Sequence, residues 1–226
     1  MKSSLKNRYN FGYITGVLLA VAAVIYLLLP SSETHIANGP MIRGHEKLKC
    51  MECHKAEHGN LRQQLQANAQ FLLNNRKEAV SVGLRPVENT ECLSCHSRPN
   101  DRHPVYRFVE PKYSEVREKI GADSCTSCHL EHKNKRITAK ANFCMHCHGE
   151  LKLKKDPLDV PHHQLVNDKR WNTCLGCHDF HGNHLMKLKR NIDDVIGMDK
   201  LNDYFNRGEN PYPGKIIHKA KTHNEK

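Results

Sequence analysis

Ten cysteines and five histidines of this chain fall into one repeated phrase. It reads Cys50-Met-Glu-Cys53-His54, Cys92-Leu-Ser-Cys95-His96, Cys125-Thr-Ser-Cys128-His129, Cys144-Met-His-Cys147-His148 and Cys174-Leu-Gly-Cys177-His178, and no cysteine stands outside it. Two thiols three positions apart can each add to one vinyl group of a single haem, and the following histidine is then held beneath the porphyrin with a ring nitrogen at the iron. The expectation is five covalently attached haem c groups, with the ten cysteines as attachment points and His54, His96, His129, His148 and His178 as proximal iron ligands. Zinc ribbons also use Cys-x-x-Cys but do not require histidine next. With 17 His in 226 residues, five such coincidences have a chance on the order of a few in a million. A thioredoxin-like redox pair would occur once, between a strand and a helix. Structural disulfides would leave the five histidines unexplained.

An iron ligated on one face has a second axial position, and twelve further histidines can supply it. His45 stands five residues before Cys50. His132 and His181 each follow a proximal histidine by three positions, in Cys-His-Leu-Glu-His and Cys-His-Asp-Phe-His. That spacing puts both imidazoles on one side of a helical turn, where one haem cannot use them on opposite faces, so each is expected to reach a neighbouring haem and tie two together. His103, between Arg102 and Pro104, and His162, preferred over its neighbour His163, complete a set of five distal ligands. His58, His163 and His184 are reserves. A methionine, Met41, Met51, Met145 or Met186, would raise the potential of one haem in a histidine's place, although packing against a ring is the plainer role. His146 reads as solvated or propionate-facing, His218 and His223 as surface residues of a polar tail, and His35 has no assigned role. No catalytic residue is assigned.

The elements that position these residues begin with residues 11–29, which carry 16 apolar side chains and no charge. As a helix they extend about 28 Å, enough to cross a hydrocarbon core. A cleaved signal peptide competes, with Lys2, Lys6 and Arg8 as its basic start. Its apolar stretch should be shorter, however, and should end in small residues rather than Pro30-Ser31-Ser32-Glu33. The reading is therefore a basic cytoplasmic tail at 1–10, a transmembrane anchor at 11–29, a pentahaem cytochrome domain at 30–185 and a basic tail at 186–226. Domains of this length cross the membrane largely regardless of charge, which places the haem domain in the periplasm of a bacterial inner membrane.

Beyond the anchor, apolar residues other than cysteine make up only about 29% of the chain, too few for a conventional core. Five flat macrocycles would supply that interior. Motif starts at 50, 92, 125, 144 and 174 show no fixed period. Leu61, Leu65, Ala69 and Leu72 predict an amphipathic helix over about 60–78, covering the first haem. Six prolines between 86 and 161 predict short helices joined by irregular segments. The fold class expected is mostly α with much irregular structure, one transmembrane helix and a small haem-packed domain. A weak helix is expected around Val195–Phe205, then an extended tail lying on a partner. The formal charge of +11 is largely counter-charge for ten propionates, leaving about +6 oxidised and about +1 reduced. That surplus suits an acidic redox partner and not nucleic acid.

With its anchor and five motifs the chain resembles the bacterial multihaem c-type cytochromes. In layout it is similar to the NapC/NirT quinol dehydrogenases, from which it departs by having five motifs instead of four. In its motifs it is more similar to class III cytochromes and the pentahaem partners of nitrite reductases. The resemblance covers roughly residues 40–185. It implies an electron carrier that takes electrons from quinol or a quinol-oxidising complex and gives them to a periplasmic reductase or another cytochrome. The alternatives are a haem enzyme with one open iron reducing a small nitrogen or sulfur oxyanion, and a cytochrome subunit of a larger membrane redox complex.

Overall fold

The computed structural model describes residues 2–29, 32, 37 and 39–222; His35 and His223 lie outside the described residues. Helix α1, Lys2–Leu28, is continuous. Its segment Tyr9–Leu27 is long and apolar enough to span a membrane, and none of it is buried against the rest of the chain. The helix ends just before Leu29-Pro30, and a residue that precedes proline disfavours the helical conformation.

The remainder is built from short helices and turns. Helices α2 (Cys50–Cys53), α4 (Asn89–His96), α6 (Met145–His148) and α8 (Asn172–Cys177) carry motifs one, two, four and five. A 3-10 turn, Cys125–Ser127, carries motif three. In motifs one, three and five the histidine N–H donates to the carbonyl of the first cysteine, at 2.9, 2.9 and 2.7 Å. That single helical turn brings both sulfurs and the imidazole to one side. Between the motifs lie α3 (Leu61–Leu72), α5 (Ser114–Ile120), α7 (His162–Asn167) and α9 (Met198–Asn206). The sheet content described is a two-residue antiparallel pair, β1 (His184–Leu185) with β2 (Lys215–Ile216). The chain is thus mostly helical with long irregular connections.

Helix α3 is shorter than the periodicity predicts. Asn60 and Gln63 form a reciprocal capping box at its start, and left-handed Asn74 follows its end. Its buried residue is polar. The Gln64 amide donates to the carbonyls of Glu57, His58 and Gly59, and its oxygen accepts from Gly83 N–H at 2.9 Å. Leu61, Leu65 and Leu72 point outward, 53% to 78% exposed. Amphipathic spacing identifies a stripe without saying which face turns inward, and here two polar loops, 57–59 and 80–83, claim the other face through Gln64 and Asn68.

Apolar burial is concentrated late in the chain. Leu158, Leu165 and Ile192 form one cluster, and Leu175, Leu201 and Tyr212 a second, with Phe143, Phe180, Met186 and Phe205 against it. Before residue 158, the buried apolar side chains among the described residues are Ile42, Pro104 and Val116. Residues after 185 fold back on this chain, including the tail from Gly208, expected to lie extended on a partner. Leu201 of α9 is fully buried beside Leu175 of α8, Ile217 N–H donates to the Asn183 carbonyl, and Lys221 N–H donates to the carbonyl of Cys95 in motif two. Leu201 and Tyr212, with Ile196, Met198, Tyr204 and Phe205 against them, anchor this return.

Candidate functional site

Each motif histidine has one other histidine facing it. The pairs are His54 with His132, His96 with His45, His129 with His181, His148 with His103, and His178 with His162, their ring centroids 6.4, 5.9, 6.1, 6.3 and 6.3 Å apart. The five facing residues are the five expected as distal ligands. His132 and His181, which follow His129 and His178, face the imidazoles of other motifs. Motif three therefore supplies a partner to motif one, and motif five to motif three.

These distances test the fit to haem. Two imidazoles whose nitrogens each bind one iron at about 2 Å have centroids roughly 6 Å apart. The five pairs meet that requirement without adjustment. No group of three or more His, Cys, Asp or Glu converges as a metal site among the described residues, which is not what an iron held by two imidazoles and a porphyrin requires.

Hydrogen bonds at Nδ1 orient the facing imidazoles. The His132 Nδ1–H donates to the Gly39 carbonyl at 2.9 Å and that of His103 to the Phe180 carbonyl at 2.7 Å. His45 donates to Glu131, His181 to Asp101 at 3.2 Å, and His162 to Asp156 at 2.9 Å. Among the motif histidines, His129 donates to the Arg136 carbonyl at 2.8 Å. An Nδ1–H so engaged leaves Nε2 as the metal-binding nitrogen. Gly39 has to be glycine, because it sits at φ +136° and a Cβ there would overlap the His132 carbonyl. His132 is itself left-handed at φ +61°, a conformation uncommon outside glycine.

Four of these ten imidazoles are pushed toward the neutral form that ligates metals. Burial pushes His96 down to about 4 and lowers His103, His129 and His178 as well. His45 is raised, first by its hydrogen bond to Glu131. Burial opposes ionisation of Glu131, Asp101 and Asp156, but hydrogen bonds from His45, His181, His162 and nearby amides keep all three below the usual carboxylate range.

The motifs also approach one another. The thiols of Cys92 and Cys125 are within hydrogen-bonding reach, as are those of Cys144 and Cys174, whose bond lowers Cys174 to about 7. Motif two therefore abuts motif three, and motif four abuts motif five.

The reserves sit elsewhere. His58, His146 and His163 are exposed. His184 is buried with both ring nitrogens engaged, donating to Asp179 at 2.6 Å and accepting from the Asn210 amide at 2.7 Å. Met51 and Met145 are exposed, and Met186 packs beside the Leu175 cluster. His218, expected at the surface, has a buried Nε2 with no hydrogen-bond partner. It lines a cavity of about 170 Å³ with His96, Arg98, Asn183 and Lys219. A cationic cavity beside a motif histidine suits the propionates of a porphyrin, and there the orphaned nitrogen would find its acceptor. Glu131, Asp101, Asp156 and Gly39 went unmarked in the sequence. Glu131 alone carried a local signal, one position before His132.

No protein-family model, no curated protein and no solved structure matches this chain.

Proposed function

We propose that this protein is a membrane-anchored electron carrier holding five covalently attached haems, each iron bound by two histidines. The observation that carries the reading is the matching of every Cys-x-x-Cys-His histidine with one facing imidazole at 5.9–6.4 Å. When bound, haem supplies a one-electron ferric/ferrous couple at each position and exchanges electrons with its neighbours by tunnelling. The chain's own residues do the rest. The ten cysteines would tether the haems, each imidazole pair would ligate one iron, and the Nδ1 partners hold the facing rings and His129 in place. An iron ligated by two histidines would leave no position for a substrate, which favours relay over bond chemistry.

The anchor directs the basic N-terminus to the cytoplasm and residues 30–226 to the periplasm of a bacterial inner membrane. Electrons arrive at the membrane, from quinol or a quinol-oxidising complex, and leave to a periplasmic reductase or cytochrome. Exposed Lys152, Lys154 and Lys155, just after motif four, suit an acidic acceptor.

The test is the intact mass and the spectrum of the full chain purified in detergent. Five increments of roughly 0.6 kDa and wholly low-spin ferric haem, unaltered by cyanide, are expected. A mass equal to the bare polypeptide overturns the reading, and a high-spin fraction of one-fifth that binds cyanide replaces it with the enzyme.

A further inference from the structure

We propose that the five centres fall into two classes of reduction potential, three low and two high, sorted by what the facing histidine's Nδ1–H meets. The inference rests on the haem reading above and goes beyond it by ordering the centres.

At motifs two, three and five the facing imidazole donates to a carboxylate. His45 meets Glu131, His181 meets both oxygens of Asp101 at 3.2 and 3.3 Å, and His162 meets both oxygens of Asp156 at 2.9 and 3.0 Å. At motifs one and four it donates to a peptide carbonyl, Gly39 for His132 and Phe180 for His103. A carboxylate carries a full negative charge where a carbonyl carries part of one. It draws the Nδ1 proton, makes Nε2 a stronger donor and stabilises the oxidised, more positive iron. The carboxylates are poorly solvated, with side chains 26%, 15% and 12% exposed for Glu131, Asp101 and Asp156, so water screens them weakly. Arg98 lies near Asp101 and tempers it, which makes motif three the highest of the low class. Backbone amides fix the aspartates independently, His103 N–H to Asp101 at 2.9 Å and His162 N–H to Asp156 at 2.6 Å. Their charge is thus held in place by more than the imidazole.

Electrons added to the oxidised protein therefore settle first at motifs one and four, and the three carboxylate-backed centres fill later. One loop governs much of this ordering. Residues 129–132 supply the proximal ligand of motif three, the facing ligand of motif one and, in Glu131, the carboxylate for motif two.

The experiment is a potentiometric titration of the detergent-solubilised full chain followed by haem absorbance, for wild type and for Glu131→Gln, Asp101→Asn and Asp156→Asn, with Glu131→Asp as the conservative control. Each amide keeps an oxygen to accept the Nδ1–H and loses the charge. The wild type should titrate with two-fifths of the amplitude at higher potential and three-fifths at lower. Each amide variant should move one-fifth from the low group to the high, its centre becoming about tenfold easier to reduce, about 59 mV for one electron. Glu131→Asp should restore the wild-type curve. A variant that loses haem is recognised by its mass, and the other two then decide. Five haems by mass with all amide variants superimposed on the wild type overturn this inference and leave the haem reading standing. A chain whose mass shows no haem overturns both.

Discussion

Around motif five the polypeptide buries its own apolar side chains, and around motif one it leaves them in the open. The first region has Leu158, Leu165, Ile192, Leu175, Leu201 and Tyr212 inside. The second exposes Met51, Leu61, Leu65, Leu72, Val82 and Leu84, and its one buried helical residue, Gln64, is polar. Both surround the same Cys-x-x-Cys-His phrase. The difference teaches that the two ends of the chain rely on their own apolar side chains to different degrees, with the self-sufficient part at the C-terminal end.

The largest expected effect comes from withholding haem altogether. In a chain produced without haem attachment, amide hydrogen exchange should keep protection over residues 158–212 and lose it over residues 40–140, since a segment with so little buried apolar area cannot offset the entropy of ordering. Uniform protection, or uniform loss, would erase the distinction between the two regions.

Leu201→Ala comes next. Leu201 is fully buried at the centre of the second cluster, so truncation removes transfer free energy and leaves a cavity, costing about 2–5 kcal/mol. Denaturant unfolding of the holoprotein measures it. Because Tyr212 belongs to the same cluster, the C-terminal return over Cys95 should become protease-sensitive in this variant.

How much of this was legible in the sequence depends on the range of each interaction. The Cys-x-x-Cys-His phrases are local, because each spans five consecutive residues, so their positions can be read directly. The facing histidines were legible for a different reason. Imidazoles three after a motif, at His132 and His181, could not serve the same centre as their own motif histidine on the opposite face; His45 stands five residues before Cys50, and His103 and His162 lie in the connections before motifs three and five. The carboxylates that orient them were not legible, since Asp101 meets His181 from 80 positions away and no local pattern marks a side chain chosen by tertiary approach. Helix α3 shows the same limit. Its periodicity was plain, but the stripe of Leu61, Leu65 and Leu72 faces outward because Gln64 and Asn68 satisfy loop backbone on the inner side.

Gln64→Ala tests that inner side. Its amide serves three carbonyls and one N–H, groups that are left without partners when it is removed, at about 1–3 kcal/mol in total. The loss should appear in denaturant unfolding and as faster exchange at Gly83 N–H. An unchanged midpoint would mean that the 57–59 and 80–83 loops are held by something other than this residue, and that the motif-one region has an interior of its own.

The smallest effect is expected at Leu65→Ala on the opposite face of the same helix. At 53% exposure Leu65 has little surface to lose, and alanine has the higher helix propensity, so the two changes nearly offset and stability should move by less than about 0.5 kcal/mol. The comparison with Leu201→Ala is direct, since both are single leucine truncations in helices of one chain. A loss at Leu65 approaching that at Leu201 would show that its stripe is covered in the purified protein, and the contrast between the two regions would then belong to the bare polypeptide alone rather than to the haem-loaded form proposed above.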